Sequence, residues 1–162
     1  MTAAFAARLS LLVLVSQLAL GQVAEAQGRP LTATGTQDLN FGAVFPGVSE
    51  QVLRTDAANA GRFEVRGRIL AEVRITLTLP ATLNASGGRT IPLVFGPNDG
   101  GRNTQNNASS ATAFDPRVPL VTRLGLPGRL FIFLGGRLNP PSTATAGTYQ
   151  ATITLTSAYT GN

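Results

Sequence analysis

The stretch EVRITLTLP, from Glu72 to Pro80, alternates apolar and polar side chains with a period of two residues. Every odd-numbered residue from Val73 to Leu79 is apolar, whereas the even-numbered residues between them are Arg or Thr. Successive side chains of a β-strand point to opposite faces of the sheet, so this pattern predicts a half-buried strand. Pro80 lacks a backbone N–H and is predicted to end it.

The same period recurs along the chain, in FEVRG (63–67), TIPLVFG (90–96) and GTYQATITLTSAY (147–159). RLFIFLGGRL (129–138) is instead a continuous apolar run, which is typical of a strand covered on both faces. Clusters of Gly, Pro and Asn separate these segments and favour turns. The sequence therefore predicts an all-β fold, an antiparallel β-sandwich of the immunoglobulin-like kind. The polar, Asn- and Gly-rich stretch 96–113 is predicted to be an exposed loop.

The composition excludes much of the common catalytic chemistry. Among 162 residues there is no His and no Cys, so histidine-activated nucleophiles, thiolates and the usual zinc ligands are absent. Carboxylate pairs could still support a hydrolase, but no two acidic residues are marked as partners. Asp99 is the only acidic residue of the 96–113 stretch, too few for a calcium loop. We therefore predict a protein that is not an enzyme and has no cofactor or metal site.

The charge balance bears on the choice of partner. The net charge is +5, and only 13% of the residues are charged, about half the usual share. The arginines are scattered, and the chain has no Trp to stack on bases, so nucleic acid is not predicted as a partner. Attraction to an acidic surface polysaccharide remains open.

The first 26 residues have the features of a cleaved signal peptide. Arg8 supplies a positive charge, LSLLVLVSQLAL (9–20) is a short apolar run, and Ala24-Glu25-Ala26 is a small-residue cleavage signature. The run is shorter than the roughly 20 apolar residues of a membrane-spanning helix. We predict a signal peptide at 1–26, an N-terminal extension or first strand at 27–37, and a sandwich domain at 38–162. The mature chain would have no transmembrane segment and would lie in the periplasm, at the outer surface or outside the cell.

Three stretches together resemble a known family. They are DLNFGAVFPG (38–47), RFEVRGRILAEVRITLTLP (62–80) and FLGGRLNPPSTATAGTYQATITLTSAY (133–159). Their order resembles the bacterial secreted family called domain of unknown function 4402, over most of the chain from about Leu31 to Asn162. In layout this family is similar to spore-coat-U-like and chaperone–usher pilus subunits. The latter are immunoglobulin-like sandwiches that polymerise by strand donation.

The resemblance implies a secreted, non-enzymatic structural or adhesive surface protein that binds copies of itself, or a related subunit, by strand addition. In such assemblies an N-terminal extension of one subunit fills a groove beside the last strand of the next. The candidate strand-donor residues alternate with threonines and are Leu31, Ala33 and Gly35. The candidate acceptor edge residues are Tyr149, Ala151, Ile153, Leu155 and Tyr159.

Two alternatives stay open. An ordinary first strand, paired within its own domain, explains 27–37 equally well. The protein could also be a monomeric secreted binding module, for example for a surface glycan, acting through the 96–113 loop.

Overall fold

A computed structural model describes residues 29–161, and within this range every strand pair is antiparallel. The predicted signal peptide lies outside the described residues. One short 3₁₀ turn, Ser86–Gly88, is the single helical element in the described range. The strands are β1 (Thr32–Gln37), β2 (Glu50–Val52), β3 (Gly61–Arg66), β4 (Glu72–Thr78), β5 (Thr82–Ala85), β6 (Arg89–Val94), β7 (Gly100–Asn103), β8 (Thr112–Phe114), β9 (Leu120–Arg123), β10 (Arg129–Leu134), β11 (Gly136–Leu138) and β12 (Thr154–Tyr159).

The strands form three sheets. The largest has the order β1-β3-β10-β7-β8, the second β2-β11-β6-β5 and the third β12-β4-β9. Strand β1 is therefore an edge of the five-stranded sheet, and β12 is an edge of the three-stranded sheet. The prediction of an all-β antiparallel fold is confirmed.

The five-stranded sheet packs against the three-stranded sheet around a first core cluster. Val65, Leu130 and Ile132 come from the former, and Val73 and Ile75 come from β4 in the latter. All five are buried, and Val73 and Ile75 have the inward parity predicted for the EVRITLTLP stretch. Strand β12 pairs with β4 in unbroken register, from Thr154 opposite Thr78 to Tyr159 opposite Val73.

A second core cluster lies under the four-stranded sheet. Its buried members are Ile91, Leu93, Phe95, Leu134 and Leu138. Leu77 of β4 packs against both clusters, so one strand joins the two halves of the core.

Strands β10 and β11 are two parts of one extended run, and Gly135 lies between them. The run leaves the five-stranded sheet at Leu134 and enters the four-stranded sheet at Gly136. On the outer side of β10, Phe131 and Phe133 are covered by Ala108 and Ala111. The prediction that this strand is covered on both faces is confirmed.

The prediction that 96–113 is a single exposed loop is wrong. The stretch contains β7 and the first two residues of β8, which pair with each other at the end of the five-stranded sheet. Gly100 lets the ring of Phe114 lie directly over β7, since a Cβ at that position would stand 2.8 Å from the ring. Because Gly100 and Gly101 of β7 have no side chains, the sequence of this strand shows no hydrophobic alternation.

We predict that Gly135→Ala destabilises the whole fold. An added Cβ would lie 2.6 Å from the backbone nitrogen of Arg54 and would clash with the carbonyl oxygen of Val52. Neither backbone atom can move without disturbing the pairing of β2 with β11. Urea denaturation should show a loss of about 3 kcal/mol. The control is Gly35→Ala, whose Cβ would meet Phe63 at an ordinary 3.7 Å. An equal loss in both variants would contradict this account.

A second prediction concerns the turn between β8 and β9. The Arg117 side chain donates to both carboxylate oxygens of Asp115, at 2.9 and 2.7 Å, and this lowers the pKa of Asp115 from 3.8 to about 2. A lowered folded-state pKa stabilises the fold above pH 3.8, and that contribution is lost as the pH falls towards 2. Arg117→Gln should raise the Asp115 pKa towards 3.8, measured by NMR titration of the carboxyl carbon. Arg123→Gln should leave it unchanged.

Candidate functional site

The two edge strands β1 and β12 approach each other at one end of the molecule. There the Tyr159 hydroxyl donates to the carbonyl oxygen of Arg29 at 2.7 Å and accepts from the backbone N–H of Arg68 at 2.8 Å. The Arg68 guanidinium lies 4.5 Å from the centre of the Tyr159 ring. This contact fixes the start of β1 to the end of β12, two strands that belong to different sheets.

At the opposite end the edges separate and leave an open groove of about 1100 Å³. One wall is the segment 37–46, which leads away from β1, and the other wall is 144–153, which leads into β12. Ile91, Leu93 and Leu138 of the second core cluster line the groove between the walls. The groove is therefore a place where the apolar core reaches the surface.

Residues of a polar turn hold the first wall. The pKa of Asp56 is lowered by hydrogen bonds from the Asn59 side chain and from the backbone N–H groups of Ala58 and Asn59. The carbonyl oxygen of Asn59 in turn accepts from the backbone N–H of Asn40 at 2.9 Å. The wall is thus anchored at Asn40, next to the inward-facing Leu39 and Phe41.

The predicted acceptor edge is divided between the groove and the first core cluster. Tyr149, Ala151 and Ile153 line the groove, and Tyr149 and Ile153 pack against the second core cluster. Leu155 and Tyr159 lie on β12 and pack against the first core cluster. The five residues share one parity, as the sequence indicates, but only the first three face the opening.

The backbone beside the groove has free hydrogen-bonding groups. Gln150 exchanges two backbone hydrogen bonds with Asn84, at 2.8 and 2.9 Å. Within residues 29–161, the amides of Ala151, Thr152 and Ile153 donate to no other backbone group. The segment 147–153 also carries no charged side chain. An uncharged segment with unpaired backbone amides is suited to pairing with another strand.

The candidate donor residues lie at the start of the described chain. Leu31 packs against the first core cluster, whereas Ala33 and Gly35 are exposed although their register partners, Val65 and Phe63, face the core side. Strand β1 pairs with β3 of the same chain. Donation by this segment stays a prediction.

Charged groups elsewhere are paired on the outer face of the five-stranded sheet. Glu64 contacts Arg66 at 2.9 Å and Arg129 at 3.4 Å. Among the described residues, no three acidic, His or Cys side chains come close enough to hold a metal ion. The same residues contain no helix that is long and apolar enough to cross a bilayer.

Sequence reasoning placed Tyr149, Ala151 and Ile153 beside a groove, but it missed the first wall and the core residues that line the groove. Leu39, Phe41 and Val44 follow no strict period, because this segment is irregular and crosses the end of the sandwich. Leu93 and Leu138 were recognisable as core residues, but nothing in the sequence indicated that the core opens beside them. The one available signal was the apolar spacing of Leu39 and Phe41 immediately after β1.

The structure defines an all-β antiparallel protein with two edge strands that diverge around an apolar groove. The sequence profile of the family described as "Domain of unknown function (DUF4402)" matches residues 49–159, and the chain belongs to this family. The matched range starts after the DLNFGAVFPG stretch, although the expected likeness began near Leu31. No curated protein is similar enough to this chain to count as a match. The likeness to spore-coat and pilus subunits stays a prediction.

We predict that Tyr159→Phe loosens the contact between β1 and β12. The variant loses two hydrogen bonds and keeps the ring beneath Arg68, so we expect a loss of about 1–2 kcal/mol in urea denaturation. Hydrogen exchange at the Arg68 amide should become faster because its acceptor is gone. Tyr149→Phe is the control, since the Tyr149 hydroxyl donates only to the carbonyl oxygen of Thr145. Unchanged Arg68 exchange in Tyr159→Phe would refute the role assigned to the hydroxyl.

Proposed function

We propose that this protein is a secreted, non-enzymatic structural or adhesive surface protein that binds an extended segment of a second copy in the groove. One observation carries the proposal: the apolar groove runs beside an uncharged segment whose amides at Ala151, Thr152 and Ile153 are unpaired. Strand addition uses both features. Backbone hydrogen bonds supply affinity, and alternate side chains of the added strand enter the apolar opening.

The direction of the chain supports a second copy as the partner. Gly61, at the start of β3, lines the groove, whereas Gly67, just beyond the end of β3, lies at the Tyr159 contact. Arg29 is bound at that same far end, through its carbonyl oxygen. The described chain therefore begins at the end of the molecule that lies opposite the groove. Molecules arranged end to end would bring the N-terminal segment of one close to the groove of the next.

The proposed donor is the segment 27–37, with Leu31, Ala33 and Gly35 on its inward side. In the single chain β1 is already paired with β3, so donation exchanges an intrachain pairing for an intermolecular one. Donation would cost the pairing with β3, and new backbone hydrogen bonds beside the groove of the next molecule would offset that loss. Ala33 is small and exposed, and Gly35 has no side chain, so little apolar contact is lost at these positions when the strand leaves β3.

Export is part of the proposal and rests on the sequence. The short apolar run 9–20 and the Ala24-Glu25-Ala26 signature support a cleaved signal peptide. The low charge and the Thr-rich strands suit a β protein in the periplasm, at the outer surface or outside the cell.

A monomeric glycan-binding module is the second candidate. Residues 104–107 between β7 and β8 are exposed and polar. The Asn103 side chain fixes their loop by donating to the Asn107 carbonyl oxygen and the Ser110 hydroxyl, each at 2.9 Å. Amide and hydroxyl groups on a fixed loop are suitable partners for sugar hydroxyls. In that case the protein would remain monomeric.

The test compares Ile153→Arg with Thr154→Arg in the protein as secreted by its host. Size exclusion with light scattering, and an unboiled denaturing gel, should show heat-sensitive multimers of the unmodified protein. Ile153 points into the groove, so the Arg variant should be a folded monomer by circular dichroism. Thr154 is exposed on the outward face of β12, so its Arg variant should still form multimers.

Deletion of 27–37 tests the donor separately. We expect it to abolish multimers, while a purified 27–37 peptide should then bind the shortened protein and not its Ile153→Arg variant. If the Ile153→Arg variant still forms multimers, the groove is not the contact that holds the assembly together. A monomeric unmodified protein that binds glycans through residues 104–107 would replace the proposal with the second candidate.

A further inference from the structure

Two loops meet at the end of the molecule that lies opposite the groove. The backbone N–H of Gly67 donates to the carbonyl oxygen of Gly128 at 3.0 Å, and the N–H of Leu124 donates to the carbonyl oxygen of Ala71 at 3.0 Å. These bonds join residues 67–71 to residues 124–128. We call this pair of loops the apolar tip.

Three large apolar side chains are exposed on the apolar tip. Ile69 is 54% exposed, Leu70 57% and Leu126 71%, and Leu126 is the most exposed of the large apolar residues in the described range. Single exposed leucines are common on protein surfaces, but three on two adjoining loops form a patch that suits an apolar partner.

The backbone at Leu70 supplies an independent observation. Its φ is +57°, and it is the one residue other than glycine with a positive φ within residues 29–161. Gly or Asn is favoured in this left-handed region, and a bulky side chain there is strained. The chain thus has a large exposed apolar side chain where a small or polar residue would be less strained, which indicates that the side chain itself has a use.

Three arginines adjoin the apolar tip. Arg68 adjoins Ile69, Arg129 follows the second loop, and Arg29 donates to the carbonyl oxygen of Pro127 at 3.4 Å. The acidic groups nearby are engaged: Glu64 contacts Arg66 and Arg129, and Glu72 accepts from the Thr160 hydroxyl at 2.7 Å. The exposed charge around the three apolar side chains is therefore mainly positive.

We propose that the apolar tip docks on an anionic lipid surface. Leu70, Leu126 and Ile69 would enter the boundary between headgroups and acyl chains, while Arg29 and Arg68 contact lipid phosphates. Apolar side chains next to cations are suited to a bilayer surface, where acyl chains lie beneath anionic headgroups. A polysaccharide offers no apolar layer for three aliphatic side chains, so lipid fits both features better. In an end-to-end assembly only the terminal molecule would keep its tip free for this contact.

The test is sedimentation of the secreted protein with vesicles. Vesicles of phosphatidylglycerol and phosphatidylethanolamine in equal parts should bind it, and vesicles of phosphatidylcholine alone should bind it much less. Leu126→Ser should weaken binding about tenfold, the effect of removing one large apolar contact. Leu53→Ser is the matched control, because Leu53 is 56% exposed but follows β2, away from the tip. High salt should weaken binding by screening the arginines.

Leu70→Gly separates a binding role from a structural one. The change relieves the backbone strain at φ +57° and should leave the thermal midpoint equal or higher, while it weakens vesicle binding. Equal binding by Leu126→Ser, Leu70→Gly and Leu53→Ser would overturn the proposal. Loss of multimers in Leu126→Ser, without any vesicle binding by the unmodified protein, would also overturn it and assign the tip to a contact between copies.

Discussion

The fold depends on the close backbone contact at Gly135. Here the run from β10 to β11 crosses from one sheet to another, and the backbone of Val52, Leu53 and Arg54 fills the space that a side chain would need. The N–H of Gly135 donates to the carbonyl oxygen of Asp99 at 2.8 Å, so the crossing is also tied to the segment before β7. Because Leu130 and Ile132 belong to the first core cluster and Leu134 and Leu138 to the second, this single run sets the positions of both.

The groove lies where the second core cluster reaches the surface, between the edges of the five-stranded and three-stranded sheets. Tyr159 joins them at one end through Arg29 and Arg68. At the other end the segments 37–46 and 144–153 flank the opening to the core. The unpaired amides at 151–153 lie beside this opening.

The sequence predicted the strands that have a local hydrophobic period, and it missed the features that are formed by residues distant in the sequence. The alternation in Glu72–Pro80 and the continuous run at 129–138 correctly indicated β4, β10 and their burial. The same parity in GTYQATITLTSAY held, but the assigned strand begins only at Thr154, because pairing with β4 ends at Thr78. Strand β7 was missed since Gly100 and Gly101 have no side chains to mark a face. The resemblance implied a groove beside the last strand, but its first wall and its core lining were missed because the lining residues are spread along the chain from Gly35 to Ile153.

The two ends of the molecule differ in the kind of partner they can accept. The groove offers unpaired backbone amides over an apolar core and no charge in 147–153, so its partner must itself present a backbone edge, which a polypeptide strand does and a lipid does not. The opposite end offers aliphatic side chains on closed loops whose backbone groups are bonded at Gly67, Gly128, Leu124 and Ala71. These loops offer no free backbone edge to a partner. A surface with an apolar layer beneath an anionic layer would contact their aliphatic side chains. Under both proposals, the terminal molecule of an assembly would bind a chain at one end and a surface at the other without competition between the two.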